Sequence, residues 1–151
     1  MDSTDLVALP KVPTRDQIEA LQVELQKLPP AEPVTEHHFA DGMYARSVSR
    51  VAGTLVVGKV HKKEHFFVLV SGEMTVWTEA GMKRVTAPFI WVSKPGTKRV
   101  TLAHTDSTAM TVHRVSSTDL DEVERELVED EPACLYGPGN KLLEKALEYI
   151  A

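Results

Sequence analysis

The chain has a single cysteine, Cys134, among 151 residues, so no intrachain disulfide can form and a cysteine-rich zinc site is excluded. Cys134 has no base near it in sequence and makes a poor candidate nucleophile. An excess of positive charge is also missing. Lys and Arg total 17 against 22 Asp and Glu, a formal net charge of −5, which supplies no general field for nucleic acid or an anionic membrane. No apolar run approaches the length of a membrane span. The opening MDSTDLVALPKVP lacks the basic start and apolar core of a signal peptide, so a cytoplasmic protein is the expectation. There is no phosphate loop, nucleotide fingerprint or Ser-His-Asp arrangement, and neither an internal repeat nor a low-complexity tract. What remains is an ordinary globular composition, 42% hydrophobic and 26% charged, at a length that suits one domain with its own core.

Residues 1–13 read as an extended arm broken by Pro10 and Pro13. TRDQIEALQVELQKLPP reads as a helix: Thr14 and Gln17 have capping-box spacing, Ile18, Leu21, Leu25 and Leu28 make one apolar stripe, and Pro29 and Pro30 stop it. From about 37 to 115 the pattern changes to short β-branched and aromatic runs: MYARSVSR, GTLVVGKV, HFFVLVSGEMTVW, KRVTA, FIWVS, KRVTLA and AMTVHRV. They are punctuated by Asp41-Gly42, Gly53, Gly72, Ala80-Gly81, Pro95-Gly96 and Asp106-Ser107. Strands at this spacing predict an antiparallel sandwich or small barrel. Helix returns after 116, with Leu120, Val123 and Leu127 as a stripe. A last helix follows, carrying Leu143, Leu147 and Ile150 behind an Asn140 cap. The expected organisation is an arm and helix over 1–36, a β-barrel over 37–115 and a helical segment over 116–151. Two amphipathic stripes, at 18–28 and 142–150, favour a homo-oligomer.

The chemistry concentrates in GKVHKKEHFFVLVSGE, residues 58–73. HKKEH has the letters of an inverted zinc-protease helix motif, but its flanks alternate like strands and carry no 3.6-residue stripe. His61 and His65 therefore belong at a strand–turn–strand junction, where the alternatives are solvated turn residues and metal ligands.

The spacing from Gly53 to Gly72 resembles the first signature of the cupin superfamily: glycine, five residues, H-x-H, three or four residues, Glu, six residues, glycine. Here Lys59 stands at the first His, His61 at the second and His65 at the Glu. The second signature is thinner. In KPGTKRVTLA only Gly96 matches, Lys94 replaces Pro, Arg99 replaces His and Ala103 replaces Asn. The resemblance covers about residues 37–115 and implies a mainly β, cupin-like antiparallel jelly roll, to which the residue patterns add an N-terminal helix and two C-terminal helices. The blocks GKVHKKEH, KPGTKR and TVH with an acidic helix behind them are also loosely similar to small cupin-like proteins of tailed phages, a group that brings no chemistry with it.

Strand alternation places Leu55, Val57, Lys59 and His61 on one interior face, and His65, Phe67 and Leu69 on another. Two imidazoles hold a metal poorly, and His113 in AMTVHRV is the third candidate; the resemblance implies that its strand lies beside the one ending at His61. His61, His65 and His113 could then hold a divalent ion such as Zn, Ni, Fe or Mn. The cations Lys59 and Arg99, with Arg46 on the first strand, would instead anchor an anionic small molecule. Glu64 and Tyr44 are the candidates for moving protons. A metal with an acidic substrate and an anion pocket without metal both remain open, as does a purely structural or interaction module.

Overall fold

The structure, a computed structural model, describes residues 9–27 and 33–129. Helix α1 (Arg15–Leu25) is capped as its sequence asks: the Thr14 side chain accepts from the Gln17 backbone, and Gln17 returns the bond to the Thr14 N–H. Nine strands follow: β1 (Val34–Ala40), β2 (Met43–Arg50), β3 (Leu55–Val57), β4 (His65–Ser71), β5 (Glu73–Thr78), β6 (Gly81–Thr86), β7 (Phe89–Ser93), β8 (Val100–Ala103) and β9 (Ser107–Arg114). Helix α2 (Leu120–Leu127) comes after them, with Asp119 as its N-cap. The expected last helix at 142–150 lies outside the described residues.

Every paired strand is antiparallel. One sheet has the order β1-β2-β9-β4-β7 and the other β3-β8-β5-β6. With β1 set aside, consecutive strands from β2 on alternate between two facing sheets, the β5–β6 hairpin excepted, which is the connectivity of a jelly roll. Strand β1 was not expected, and the 36/37 boundary falls inside it. It is an edge strand whose VTEHHFA run sits beside β2 with alternating intermediate and exposed positions, so no apolar face announces it.

The inner faces meet in a core of Phe67, Leu69, Met74, Val76, Val85 and Ala109, against which Phe89 and Trp91 pack. Leu69 and Met74 are fully buried, and truncating either to alanine costs about 2–5 kcal/mol. A second cluster lies outside the barrel. Ile18 and Leu21 of α1 pack on Trp77, Val100 and Leu102, with Leu55 and Val57 alongside. Two expectations change here. Leu55 and Val57 face α1 rather than the interior. The described part of the first stripe, Ile18, Leu21 and Leu25, packs on its own chain and makes no case for an oligomer, and Leu28 lies outside the described residues.

Gly72 joins β4 to β5 with φ +89, and an added Cβ would lie 2.5 Å from the Asp106 carbonyl oxygen and 2.9 Å from the Ser107 Cα. Backbone packs where a side chain would have to go, so the position needs glycine for both φ and space.

Candidate metal centre

Three elements bring the histidines together. His65 opens β4, and the β4–β9 register sets it level with His113, which lies opposite Tyr44 on β2. Burial alternates along β9 and turns His113 inward. His61 lies beyond β3 in an irregular stretch. The Gly58 N–H donates to the Arg99 carbonyl at 2.8 Å, and the His61 carbonyl accepts from Gly96 at 2.8 Å. A bridge to Val128 holds His61 from the other side. The last strand therefore pairs with the His65 strand and the Tyr44 strand, not with β3, which belongs to the opposite sheet. Convergence still follows, because His61 reaches the site from across the barrel.

The three imidazoles are 3–5% exposed. Their ring centroids lie 4.4 Å (His61–His65), 5.4 Å (His61–His113) and 4.6 Å (His65–His113) apart. One nitrogen from each ring lies within 4.8 Å of the others. His61 Nδ1 sits 3.2 Å from the Lys59 carbonyl and His65 Nδ1 3.0 Å from the Lys63 carbonyl. A carbonyl only accepts, so both Nδ1 atoms carry the proton and each Nε2 keeps its lone pair. This carbonyl-oriented tautomer is the one that metal-ligating histidines adopt. His113 differs: both its ring nitrogens are buried, and neither has a hydrogen-bond partner among the described residues.

Burial comes first among the causes that lower all three imidazole pKa values, followed for His61 and His113 by the positive form of His65 and by Arg99 and Arg46. His65 falls to about 4, its hydrogen bond to the Lys63 carbonyl partly opposing the burial. Three neutral imidazoles with an orphaned member are a donor set that fits a divalent transition metal.

The interior cations are arranged less simply than the sequence suggests. Lys59, expected as an anion anchor, forms an ion pair with Glu124 of α2 and is taken up by it. Lys63 pairs with Glu126 at 2.7 Å, and Lys62 Nζ donates to the Arg125 carbonyl at 2.7 Å. The backbone adds Lys62 N–H to the Leu127 carbonyl at 2.7 Å and Glu129 N–H to the Val60 carbonyl at 2.9 Å. The lysines of GKVHKKEH thus latch α2 across the barrel mouth, where Val123, Leu127 and Val128 pack on Tyr44.

Arg99 takes the interior place instead. It is 8% exposed, lies over the Phe67 ring with its Cζ 4.4 Å from the centroid, and donates from Nη1 to Ser93 Oγ at 2.8 Å and to His65 Nε2 at 3.3 Å. Arg46 faces inward from β2, level with Thr111, and its Nε is buried without a partner. Arg50, which no sequence signal marked, reaches Thr101 Oγ1 at 2.6 Å with an equally orphaned Nε. Burial, then the neighbouring arginine charge, lowers Arg50 to about 10 and Arg99 to about 9, so both stay charged at neutral pH.

Tyr44 is buried, stacks 5.9 Å from His113 and holds its hydroxyl 2.6 Å from His37 Nδ1. Burial raises its pKa, with Arg46 opposing. Glu64 does not share the cavity: it is exposed on the 62–64 turn and bonded to Lys94 at 2.9 Å. His104, in the hairpin after β8, bonds Thr75 at 2.6 Å.

No family model and no curated protein matches the sequence. Solved structures do match the fold. A Salmonella typhimurium protein provisionally named ethanolamine utilization protein Q superposes with a TM-score of 0.50 at 12% identity, over 58% of this chain and 73% of that one. Salicylate 1,2-dioxygenase from Pseudoaminobacter salicylatoxidans, solved as adducts with gentisate, gives 0.50 at 11% identity over 64% of this chain and 30% of that one. A cupin protein from Bacteroides fragilis gives 0.47 at 16% identity over 61% and 85%.

This is a cupin fold. At such identities the likeness concerns the fold alone, and the site must be argued from its own residues. In cupin terms, one signature histidine is kept, His61, and His65 puts an imidazole where the signature has Glu. The other two have become the cations Lys59 and Arg99, and the third imidazole, His113, comes from the last strand.

Proposed function

We propose that this chain is a small cupin-fold protein that holds a divalent metal ion (Zn, Ni, Fe or Mn) on His61, His65 and His113 and takes a small acidic molecule beside it. The observation that carries the reading is His113. A buried imidazole with neither nitrogen bonded is costly, and it stands where two correctly oriented imidazoles converge. When bound, the ion supplies Lewis acidity and a fixed point for a carboxylate or hydroxyl oxygen. The acidic ligand is drawn by the buried guanidinium groups of Arg99 and Arg46. If a reaction on an oxygenated substrate follows, Tyr44 is the proton-moving group best placed for it, since Glu64 faces solvent.

A second reading is non-catalytic ligand binding without metal. It is favoured by Arg99, whose Nη1–H already occupies the His65 Nε2 lone pair. Titrating Zn²⁺, Mn²⁺ and Ni²⁺ into EDTA-stripped protein separates the two. One equivalent of metal bound by the wild type and lost in His61→Ala supports the first reading, and no binding by the wild type removes it.

Self-association belongs to the same proposal. Phe66, Val70, Ile90 and Val92 are exposed on the outer face of the five-stranded sheet, with Phe66 directly opposite Val92 across the β4–β7 ladder. A contiguous apolar sheet face of this kind favours a partner surface, and a second copy of this chain is the occupant proposed. A monomer in sedimentation at micromolar concentration removes it.

A further inference from the structure

The interior of the barrel holds more positive charge than the metal reading uses. Arg46, Arg50 and Arg99 all turn inward, from β2 and from the residue before β8. Among the described residues none of the three forms an ion pair with a carboxylate, although every lysine at the mouth is engaged by α2. Their visible partners are all neutral: Ser93 Oγ and His65 Nε2 for Arg99, and Thr101 Oγ1 for Arg50. Arg46 makes no side-chain hydrogen bond to another described residue, and Thr111, level with it on β9, keeps an orphaned buried hydroxyl. Guanidinium groups placed together without counter-charge repel one another and leave their donors unsatisfied, an arrangement that costs stability until an anion completes it. Planar forked donors match carboxylate and phosphate oxygens, and hydroxyl donors among them suit the same acceptors.

We infer that Arg46, Arg50 and Arg99, with Thr111 and Ser93, form a fixed site for a small doubly charged oxyanion, a dicarboxylate or a phosphate, in the barrel interior beneath the three histidines. This deepens the proposed function by naming the class of its acidic ligand, and it operates without metal, because the donors are all protein groups.

The test uses the full chain, EDTA-treated and held in a buffer free of phosphate and carboxylate. Thermal unfolding and calorimetric titration are followed with malonate, succinate, inorganic phosphate and, as a single-charge control, acetate. At least one dianion, at about a hundred times its Kd, is expected to raise the midpoint by about 5–10 °C, with acetate giving less than a third of that rise. Which dianion leads, dicarboxylate or phosphate, identifies the source. Arg46→Gln loses charge without losing a hydrogen bond. It should unfold at the same or a higher temperature without anion and lose at least tenfold in anion affinity. Arg50→Gln gives an independent second reading of the same loss. The inference is overturned if no dianion shifts the midpoint, or if Arg46→Gln and Arg50→Gln keep the wild-type shift. It is also overturned if both variants lower the anion-free midpoint while binding is unchanged, since the arginines would then be structural. Metal binding enters none of these measurements, so a failed metal titration and a failed anion titration remain distinct.

Discussion

Replacing His113 with leucine should make the metal-free protein more stable, the reverse of what a buried substitution usually does. Both His113 ring nitrogens are buried without partners among the described residues. An unsatisfied buried polar atom costs about 1–3 kcal/mol, so two such atoms cost about 2–6 kcal/mol in the absence of metal. Leucine is of similar bulk and removes both. Against that gain stands the lost stacking of the imidazole on Tyr44, at 5.9 Å, which is worth about 0.5–1.5 kcal/mol, together with some mismatch of shape. A net gain of about 1–3 kcal/mol remains, or about 2–10 °C in midpoint for a chain of this size. Metal reverses the ranking. A ligand at a thousand times its Kd stabilises the wild type by about 4 kcal/mol, and the variant has lost the third donor. Urea unfolding of both proteins, with EDTA and with excess Zn²⁺, should therefore give curves that change order between the two conditions. A variant less stable than wild type in EDTA, or one that keeps the wild-type response to zinc, would refute the reasoning.

Acid should destabilise the metal-free protein well above the carboxylate range. The folded imidazoles are held neutral, His65 down to about 4, while in the unfolded chain they titrate near 6.5. The unfolded state thus binds more protons between about pH 6.5 and 4, and stability falls as pH falls through that window, by up to about 1.4 kcal/mol per pH unit for each histidine. Urea midpoints measured from pH 7.5 to 4.5 check this, and a flat profile counts against it. Weakening the mouth latch with the double substitution Lys59→Met and Lys63→Met removes two partly buried ion pairs. It should speed chelator-driven metal release about tenfold, for a loss of about 1–1.5 kcal/mol, with stoichiometry unchanged in stopped flow. Gly72→Ala forces a Cβ against the Asp106 and Ser107 backbone at a positive φ and should cost about 2–4 kcal/mol. A wild-type urea midpoint would show that the β4–β5 turn relaxes freely.

Much of this architecture was legible before any coordinates. MYARSVSR and FIWVS are strands from end to end, and the Thr14–Gln17 capping box forms as written, because local propensity and tertiary placement agree there. The Gly53-to-Gly72 spacing led to the cupin fold. The departures have physical causes. Alternation puts Leu55 to His61 on one face only if the strand continues, but β3 ends at Val57. Beyond Gly58 the chain is held by the Arg99 carbonyl, Gly96 and Val128, so facing cannot be extrapolated across it. Lys59 read as a pocket cation because nothing local revealed that Glu124, 65 residues away, would claim it. The acidic face of DLDEVERELV and the lysines of GKVHKKEH were complementary in charge, which was the available signal. Arg50 closes the MYARSVSR strand, and alternation alone puts it on the same face as Arg46; the β2–β9 register, which sets Arg46 level with the buried Thr111, shows that this face is the inner one.

X-ray absorption at the edge of the bound metal, recorded on wild-type protein loaded with one equivalent of zinc, tests the central claim most directly. Three imidazole nitrogens at about 2.0–2.1 Å are expected, completed by light oxygen donors, with the imidazole scattering reduced in His113→Leu. A shell of oxygen donors alone, or an imidazole count unchanged by the His113 substitution, would contradict a centre built on His61, His65 and His113.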